Sequence, residues 1–470
     1  MTARLDTALA FASIGRLQAL LSSGEIRSRE LVELHLSRIE RFDPGLHAYV
    51  DLHAAQALAA ADGLDALRRA GVNLGPLHGI TVAVKDLFDI EGHPTTGGSR
   101  ALPARTAGAT ATAVLKLRQA GAIVLGKTHT VEYAFGGWGT NAVMGTPRNP
   151  WDLQTHRVPG GSSSGSAVAV AAGLACAGLG TDTGGSVRIP AGLCGVVGLK
   201  TTHGVVSRHG LIELCPAHDT VGPITRDVAD CAMLLDAIAG PDPLDAVSHA
   251  SPVRRTGPLR TRSVRGLRAW VLPDEERDRV DAEVLAVYDQ ALEAFQDLGM
   301  TLVGQALPAS LTDSMQIAGE LMSAEGYAHL GPLFERDDLH FDPHVRRRIL
   351  LGRDISAARY QHLLASRLGA RQAMREAMTA ADVCIFPTNA IAAIPVAEVD
   401  EMLAPLSLLG RFVNLLDLCS LAIPAGFTSA GMPVSVQVVG PSLGEPLVLQ
   451  VGHAFQGATH WHLARPSGLD

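Results

Sequence analysis

Residues 158–200 read VPGGSSSGSAVAVAAGLACAGLGTDTGGSVRIPAGLCGVVGLK, and this stretch holds two Gly-Gly-Ser clusters, at 160–162 and 184–186. A run of Ala, Val, Gly and Leu separates them, which predicts a small-residue helix with a hydroxyl-bearing turn at each end. Glycine accepts positive φ and lets a ligand approach the backbone closely, so such turns suit loops whose N–H groups face a substrate. Either cluster alone is better explained as an ordinary turn with satisfied hydroxyls.

The composition indicates a large globular protein that acts on small molecules. With 470 residues, 47% of them hydrophobic, the chain can bury a large core, and we expect a single domain over residues 1–470. The net charge of -8 gives no basic footprint for nucleic acid. No apolar run is long enough for a membrane span, and the N-terminus lacks the pattern of a signal peptide.

The six cysteines are widely spaced, without a Cys-x-x-Cys pair and without clustering with histidine. This pattern is typical of buried free thiols in a reducing compartment rather than of disulfides or a zinc site. We therefore expect a cytoplasmic protein whose cysteines bind no metal.

Helical and strand-like segments alternate along the chain. Residues 110–120 are predicted to form a helix closed by Gly121, and residues 122–125 an apolar strand. The run ITVAVKDLFDI at 80–90 is rich in β-branched residues and predicts a buried strand. Because this alternation is typical of a layered α/β protein, we expect a mixed twisted β-sheet covered by helices on both faces. Helical residues 313–380 are expected to form a cap beside the site.

Residues 121–128, GAIVLGKT, match the pattern of a phosphate-binding loop. That pattern requires its four variable positions to form a loop between a strand and a helix. Here they are Ala, Ile, Val and Leu, which favour the strand itself and leave no backbone nest for phosphates. We therefore do not expect a nucleotide site.

Residues 161–165, GSSSG, match the Gly-x-Ser-x-Gly elbow of α/β-hydrolases, which would make Ser163 a nucleophile with a later Asp or Glu and His. Histidines do follow, at His203, His209, His218 and His453. However, the elbow needs a strand running directly into it, and the preceding NPWDLQTHRVPG predicts a loop. This alternative is remote.

Lys85 is the anomaly of the strand predicted at 80–90. Burial of an ammonium disfavours its charged form and lowers its pKa, so a lysine within a run of Val and Ala is a candidate base. The alternative is a lysine whose head group reaches the strand end or pairs with Asp86 or Asp89. The run alone does not separate the two.

Three motifs within residues 158–200 resemble those of the amidase signature family: PGGSSSGS at 159–166, GTDTGGSVRIP at 180–190 and CGVVGLK at 194–200. The resemblance extends, in the family's order, to Val84-Lys85-Asp86, Gly126-Lys127-Thr128, Asn149-Pro150-Trp151, Val221-Gly222-Pro223 and Gly431-Met432-Pro433. It covers nearly the whole chain and implies the family's α/β fold.

By that resemblance, Ser186 is the nucleophile, Lys85 the base and Ser162 the serine between them, with a cis peptide bond to Gly161. A serine hydroxyl is a poor nucleophile until a base accepts its proton, and a distant lysine can do so through a second hydroxyl. The expected oxyanion donors are the backbone N–H groups of Thr183, Gly184, Gly185 and Ser186. The resemblance implies neither a metal nor another cofactor.

Charged residues near these motifs are expected to be structural. Asp182 and Arg188 flank the nucleophile, and pairing between them would brace its loop, since a buried arginine is normally paired. The basic turn at 346–348 predicts a solvated face rather than an anion site.

The segment at 133–138, YAFGGW, falls where the chains of this family line the substrate pocket. The resemblance therefore implies substrate contacts by Ala134, Phe135 and Gly136, and an aromatic or apolar acyl group. Tyr133 and Trp138 are explained equally well as core residues.

The implied reaction is hydrolysis of a small-molecule amide through an acyl-enzyme, with release of ammonia or an amine. A similar relative is the amidotransferase subunit that releases ammonia from glutamine for transfer RNA-dependent synthesis, and it also resembles this chain at 345–352. The Asn and the Arg-Tyr-Asp-Gly run expected before that helix are absent, and residues 324–329 read AEGYAH instead. This difference favours a free-standing amidase.

The residues leave two further functions to weigh. A carbamoyl-amide or urea-type hydrolase fits because no residue excludes a small polar acyl group. A catalytically silent relative that acts as a partner-binding module is disfavoured, because Lys85, Ser162 and Ser186 are all present. We expect no nucleic-acid or membrane partner, and a homodimer is left open.

Overall fold

The computed structural model describes residues 7–101, 105–249, 256, 259 and 263–470. Residues 1–6, at the start of the segment in which a signal peptide was sought, lie outside the described residues. The strands are β1 (Tyr49–Leu52), β2 (Thr81–Lys85), β3 (Pro94–Thr95), β4 (Arg105–Thr106), β5 (Ile123–Thr128), β6 (Ala177–Asp182), β7 (Val197–Lys200), β8 (Thr220–Thr225), β9 (Arg268–Val271), β10 (Thr301–Val303), β11 (Val383–Pro387), β12 (Cys419–Phe427) and β13 (Pro433–Gly440).

The helices of the described residues surround these strands. They are α1 (Ile14–Ser23), α2 (Ser28–Leu46), α3 (Ala54–Arg69), α4 (Thr112–Gln119), α5 (Ser164–Ala171), α6 (Arg188–Leu193), α7 (Val228–Ile238), α8 (Ala246–His249), α9 (Asp274–Arg277), α10 (Ala282–Asp297), α11 (Leu311–Phe334), α12 (Pro343–Leu350), α13 (Ala357–Ala377), α14 (Arg411–Leu415) and α15 (Glu445–Thr459). Among them, none is both long and apolar enough to cross a membrane.

Eleven of the strands form one mixed sheet, in the order β1-β5-β2-β6-β8-β7-β12-β13-β11-β9-β10. β2 runs parallel to β5 and β6, whereas β6 and β8, β8 and β7, and β12 and β13 pair antiparallel. β3 and β4 form a separate two-stranded ribbon. The predicted mixed α/β sheet is therefore confirmed.

Alternate residues of the central strands point into two different cores, as the period of two in a strand requires. In β2, Val82 and Val84 join an apolar cluster that includes residues of α1, α4 and α7. Ala83 joins a second cluster, with residues of α2, α3 and α5. Both faces of the sheet are thus covered by helices, and a lysine at the end of β2 is enclosed by protein.

The residues that match a phosphate-loop pattern form a strand instead. Ile123–Thr128 is β5, and the apolar run at 122–125, which begins one residue before this strand, is buried, as the sequence predicts. A Cβ on Gly126 would overlap the main-chain oxygen of Asp51 on the paired strand β1. Gly126 therefore permits a close strand approach, and the segment offers no loop to a nucleotide.

The helix between the two Gly-Gly-Ser clusters is α5, and all of its residues are buried. It packs against β2, β5, β6 and β8, and a Cβ on Gly165 would overlap the main-chain oxygen of Ala48. Only small side chains fit this position, which explains the run of Ser, Gly, Ala and Val. The tight packing fixes Ser162 and Ser163, which immediately precede the helix.

Much of the predicted cap interval, 313–380, is helical. It contains most of α11, α12 and α13, and α11 packs against α12, α13 and α14. That these helices act as a cap stays a prediction. All six cysteines are buried and free, in agreement with the interpretation of their spacing.

Candidate active site

Lys85 ends β2, and its ammonium is enclosed on all sides. Its Nζ donates hydrogen bonds to Ser162 Oγ and to Thr181 Oγ1, each at 2.8 Å. Thr181 belongs to β6, two residues beyond Leu179, the partner of Val84 in the parallel ladder. The sheet register therefore places two hydroxyls in front of one lysine.

The acidic residues that follow Lys85 in sequence are occupied elsewhere. Asp86 pairs with Lys127 at 2.6 Å, and Asp89 pairs with Arg105 at 2.6 Å. No carboxylate of a described residue lies within ion-pair distance of Lys85. The alternative in which Lys85 pairs with Asp86 or Asp89 is thus wrong.

Burial lowers the pKa of Lys85 to about 7, although the more distant carboxylates of Asp219 and Asp182 act in the opposite direction. The cause is desolvation, which penalises an ammonium more than a neutral amine. A substantial fraction of Lys85 is consequently neutral near pH 7 and able to accept a proton.

Ser162 lies in the loop that leads into α5, and its peptide bond to Gly161 is cis, as the resemblance implies. Gly161 N donates to Gly137 O at 2.8 Å, and Val131 N donates to Ser162 O at 3.3 Å. These bonds tie the loop to the segment that follows β5.

Ser186 stands next to this loop, at the other Gly-Gly-Ser cluster. Its main-chain oxygen accepts a hydrogen bond of 3.1 Å from Ser163 N. The side chain of Ser186 lines a cavity. The structure therefore brings Lys85, Ser162 and Ser186 together at one end of α5.

The loop at 183–186 was predicted to supply four oxyanion donors. The amide of Gly185 donates to Asp182 Oδ1 at 2.8 Å, whereas no described residue accepts from the amides of Thr183, Gly184 or Ser186. Gly185 has φ of +120°, and a Cβ there would lie 2.6 Å from Ile189 Cδ1. The turn thus requires glycine at 185, and three of the four amides are free to meet a ligand.

Asp182 and Arg188 brace this loop, as predicted. Arg188 Nε and Nη2 donate to the two oxygens of Asp182 at 3.0 Å each. Burial would raise the pKa of Asp182, but the guanidinium of Arg188 holds that pKa well below its usual range. Arg188 also donates to Gly410 O, Asn414 Oδ1 and Gln437 Oε1. The loop at 183–186 is therefore anchored to the strands and helices of the C-terminal third.

Asp219 supports the same loop and was not identified from the sequence. Thr183 Oγ1 donates to Asp219 Oδ1 at 2.6 Å, and the amides of Leu214 and Cys215 donate to Oδ2. Burial raises the pKa of Asp219 to about 6. Residues 215–219 contain no recognisable motif, so only the fold reveals this contact.

Ser163 does not occupy a hydrolase elbow. Its side chain is buried, and its Oγ donates to Thr181 O at 3.2 Å and accepts from Thr181 N at 3.3 Å. The residues before it form no strand that runs into the turn. The elbow alternative is inconsistent with both observations.

A cavity of about 580 Å³ opens above Ser186 and Gly184. The three residues proposed from the sequence, Ala134, Phe135 and Gly136, are all in its wall. The rest of the wall consists of Gly137, Trp138, Ile189, Met315, Gln316, Gly319, Glu320, Met322, Ser323, Arg348, Leu351, Ile355, Glu401, Met402, Leu403, Ala404, Leu406, Ser407 and Arg411. Most of this surface is apolar.

The two aromatic residues whose role was open, Tyr133 and Trp138, are both buried, and of the two Trp138 borders the cavity. Tyr133 packs edge-on against Phe334 with ring centroids 5.3 Å apart and belongs to the core. Trp138 is buried in another apolar cluster and also borders the cavity, and its indole N–H donates to Leu403 O at 3.1 Å.

The prediction of a solvated face for the basic turn is wrong for Arg348. This residue of α12 lines the cavity, donates to Phe135 O at 2.8 Å and pairs with Glu401 at 2.6 Å. Arg411 also lines the cavity and was missed. It is a lone cation within the apolar run SLLGRFVNLL at 407–416, the same kind of signal that marks Lys85.

Asp51, His53 and His93 form the one cluster with metal-ligand spacing among the described residues. Both imidazoles lie within hydrogen-bond distance of Asp51 Oδ2, at 3.1 and 3.4 Å. The two imidazole rings are stacked, with centroids 3.5 Å apart. The cluster borders a different cavity from that of Ser186.

Known proteins resemble this chain over most of its length. The family described as Amidase matches residues 30–449. The A subunit of the glutamyl-tRNA(Gln) amidotransferase of Geobacter metallireducens is 37% identical over 476 residues, covering 96% of this chain and 98% of the relative.

Solved structures give the same result. A chain from a vestigial protein complex, solved in work on the origins of an s-triazine catabolic enzyme, is 32% identical with a TM-score of 0.88, covering 95% of this chain and 98% of its own. The peptide amidase of Stenotrophomonas maltophilia is 31% identical with a TM-score of 0.84, covering 99% and 100%. The chain therefore belongs to the amidase signature family.

Proposed function

We propose that this protein hydrolyses the C–N bond of a carboxamide, with Lys85 as base, Ser162 as proton relay and Ser186 as nucleophile. The observation that carries the proposal is the 2.8 Å contact between Lys85 Nζ and Ser162 Oγ. Burial lowers the pKa of that lysine to about 7, so the contact joins a hydroxyl to a group that can accept its proton.

In the first step, Ser186 Oγ attacks the carbonyl carbon of the amide. Its proton passes to Ser162 Oγ as Ser162 gives its own proton to neutral Lys85, so the relay ends with one ammonium and one tetrahedral oxyanion. The free amides of the 183–186 loop support the negative charge, and one such donor is worth about 3 kcal/mol of barrier.

The relay then runs in reverse. Lys85 returns a proton through Ser162 to the leaving nitrogen, the C–N bond breaks, and ammonia or an amine departs from an acyl-Ser186 ester. Water attacks this ester with the same relay as base, which restores free Ser186 and releases a carboxylic acid. Asp182, Arg188 and Asp219 touch no reacting atom and act by holding the loop.

The apolar wall around Phe135 and Trp138 supports a substrate with an apolar or aromatic part next to the amide. The curated relatives are amidotransferase A subunits, and their names support a glutamine-hydrolysing subunit with a protein partner more strongly than a free-standing amidase. A free-standing amidase is the second candidate, because the solved peptide amidase is similar over its whole length.

Two measurements test the proposal. A fluorophosphonate probe is expected to label the purified protein at Ser186, and Ser186→Ala is expected to abolish labelling. Ammonia release from glutamine and from aliphatic, aromatic, dicarboxylic and carbamoyl amides then identifies the substrate class. Labelling at Ser163, or turnover retained in Ser186→Ala, contradicts the mechanism.

The two candidates differ in their need for a partner. A free-standing amidase is fully active as a purified single chain. An amidotransferase subunit hydrolyses glutamine slowly alone and faster with its partner subunits, which co-purify with a tagged chain from the native cell. Full glutamine turnover without any partner argues against the subunit form.

A further inference from the structure

The charged side chains in the wall of the cavity at Ser186 are not balanced. Two of them form an ion pair, since Arg348 contacts Glu401 at 2.6 Å. Glu320 accepts two hydrogen bonds of 2.8 Å from Arg359, which lies outside the wall. Arg411 alone among the wall's charges has no carboxylate of a described residue within ion-pair distance. The cavity therefore carries one uncompensated positive charge.

Arg411 also has unused hydrogen-bonding capacity. Its Nη1 donates to Met315 O at 3.2 Å, but its Nε is buried and has no partner among the described residues. Burial, followed by the charge of Arg348, lowers its pKa to about 10, so the guanidinium is still charged at neutral pH. Buried donors are normally satisfied, so the unpaired Nε of an arginine that lines a cavity calls for an explanation, and an acceptor on a bound ligand supplies one.

The position of Arg411 relative to the nucleophile is fixed. A Cβ placed on Gly184 would lie 3.3 Å from Arg411 Cγ and 3.7 Å from its Nε, so the side chain stands beside the nucleophile loop. Arg188 holds the preceding residue, because both of its Nη atoms donate to Gly410 O at 3.2 Å. An anion on Arg411 would thus be only a few bonds from a carbonyl at Ser186.

We propose that Arg411 binds a carboxylate of the substrate, so that the site takes the ω-amide of a short dicarboxylic acid. This inference rests on the proposed function. A guanidinium matches a carboxylate in charge and in planar, two-pronged geometry. The apolar wall, including Phe135 and Met322, suits the methylene chain between the two ends.

Two sources present this chemistry, a simple monoamide such as glutaramate and the amino acid glutamine. Their carboxylates are equivalent for Arg411, but glutamine adds an ammonium. The two acidic residues in the wall, Glu320 and Glu401, are both engaged by arginines. The rates on the two compounds identify the source, and a clear preference for either one over a neutral amide supports the carboxylate subsite.

The test compares glutaramate and L-glutamine with pentanamide, in which a methyl group replaces the carboxylate. We expect the wild type to favour a carboxylate-bearing amide by at least about tenfold in kcat/KM. Arg411→Gln should reduce that value by about 10- to 100-fold and leave pentanamide within about threefold. Arg353→Gln, at an exposed arginine outside the wall, is the matched control and should change neither. Arg411→Lys keeps the charge and should retain part of the preference.

Equal losses on pentanamide and on the carboxylate substrates overturn the inference, as does the absence of a preference in the wild type. Binding of glutarate to the Ser186→Ala protein, measured by calorimetry, separates this failure from that of the proposed function. If no amide is cleaved but Arg411→Gln weakens glutarate binding by at least about tenfold, the carboxylate subsite is supported and the proposed reaction is rejected. Arg411→Lys replaces Arg411→Gln in this measurement if the latter variant does not fold. Glutarate binding that is absent or independent of residue 411 rejects the subsite.

Discussion

Lys127 Nζ lies 2.6 Å from Asp86 Oδ1 in a buried ion pair. Asp86 directly follows Lys85 in sequence, but its carboxylate is paired with Lys127 and not with Lys85. The two lysines end neighbouring parallel strands, Lys85 on β2 and Lys127 one residue before the end of β5. Lys127 is therefore a paired structural cation, whereas Lys85 donates to the hydroxyls of Ser162 and Thr181.

This division predicts different outcomes for two lysine substitutions. Lys85→Ala should lower kcat by about 10²- to 10⁴-fold, which is the usual contribution of a general base. Circular dichroism should show an intact fold. Lys116→Ala, at a half-buried lysine whose Nζ donates to main-chain oxygens at 239 and 240, is the control and should remain active. Ordinary turnover in Lys85→Ala would refute the relay.

The activity should depend on pH with a midpoint near the pKa of Lys85, about 7. Lys85 must be neutral to accept the relay proton, and its neutral fraction falls as pH falls. We expect kcat/KM to decrease about tenfold per pH unit below that midpoint and to level off above pH 8. A flat profile between pH 5.5 and 7.5 contradicts Lys85 as the base.

Removal of one member of the Asp182 and Arg188 pair should be costly. Arg188→Met leaves a buried carboxylate without its cation, which we expect to reduce the free energy of unfolding by about 3–5 kcal/mol. Urea denaturation measures this loss. The double variant with Asp182→Asn should lose less than the sum of the two single variants, and additive losses would show that the pair does not act as a unit.

Two adjacent glycines should respond differently to alanine. Gly185→Ala forces a Cβ to within 2.6 Å of Ile189 Cδ1 at a φ of +120°, so the nucleophile loop must distort and kcat should fall. Gly184→Ala places its methyl group 3.3 Å from Arg411 Cγ, in the cavity wall. It should change KM more than kcat. The reverse pattern in steady-state kinetics would contradict the described geometry.

The serines at 162 and 163 provide a further contrast. Ser162→Ala removes the relay hydroxyl and should reduce kcat as severely as Lys85→Ala. Ser163→Ala loses hydrogen bonds to Thr181, and we expect a loss of about 1 kcal/mol in stability with activity largely retained. Thermal denaturation measures the effect on stability, and ammonia release measures the effect on activity. An inactive Ser163→Ala enzyme would support the elbow alternative.

The sequence predicted the parts of this molecule that are local. The apolar tetrapeptide at 122–125 indicates a strand because its residue types fit only a buried one, and β5 confirms it. The Gly-Gly-Ser clusters and Lys85 stand out because their composition departs from that of their surroundings.

What the sequence did not reveal depends on long-range contacts. Thr181 reaches Lys85 only through the register of two parallel strands, and Asp219 reaches Thr183 from a loop without a motif. Arg348 belongs to a run of three arginines of which this one faces inward. The direction of a side chain on a helix is decided by packing against the rest of the chain, and residue type alone does not encode it.

The bonds of Arg188 reach in two directions, to Asp182 in the nucleophile loop and to Gly410 beside Arg411. This guanidinium links the loop at 183–186 to the side of the cavity that carries Arg411. Substitutions that move residues 410–411 are therefore expected to displace the loop at 183–186 as well, which limits how far this side of the cavity can change to fit other substrates. The part of the wall that α12 supplies receives no hydrogen bond from Arg188 among the described residues, so we expect substitutions there to change substrate range with less effect on the loop.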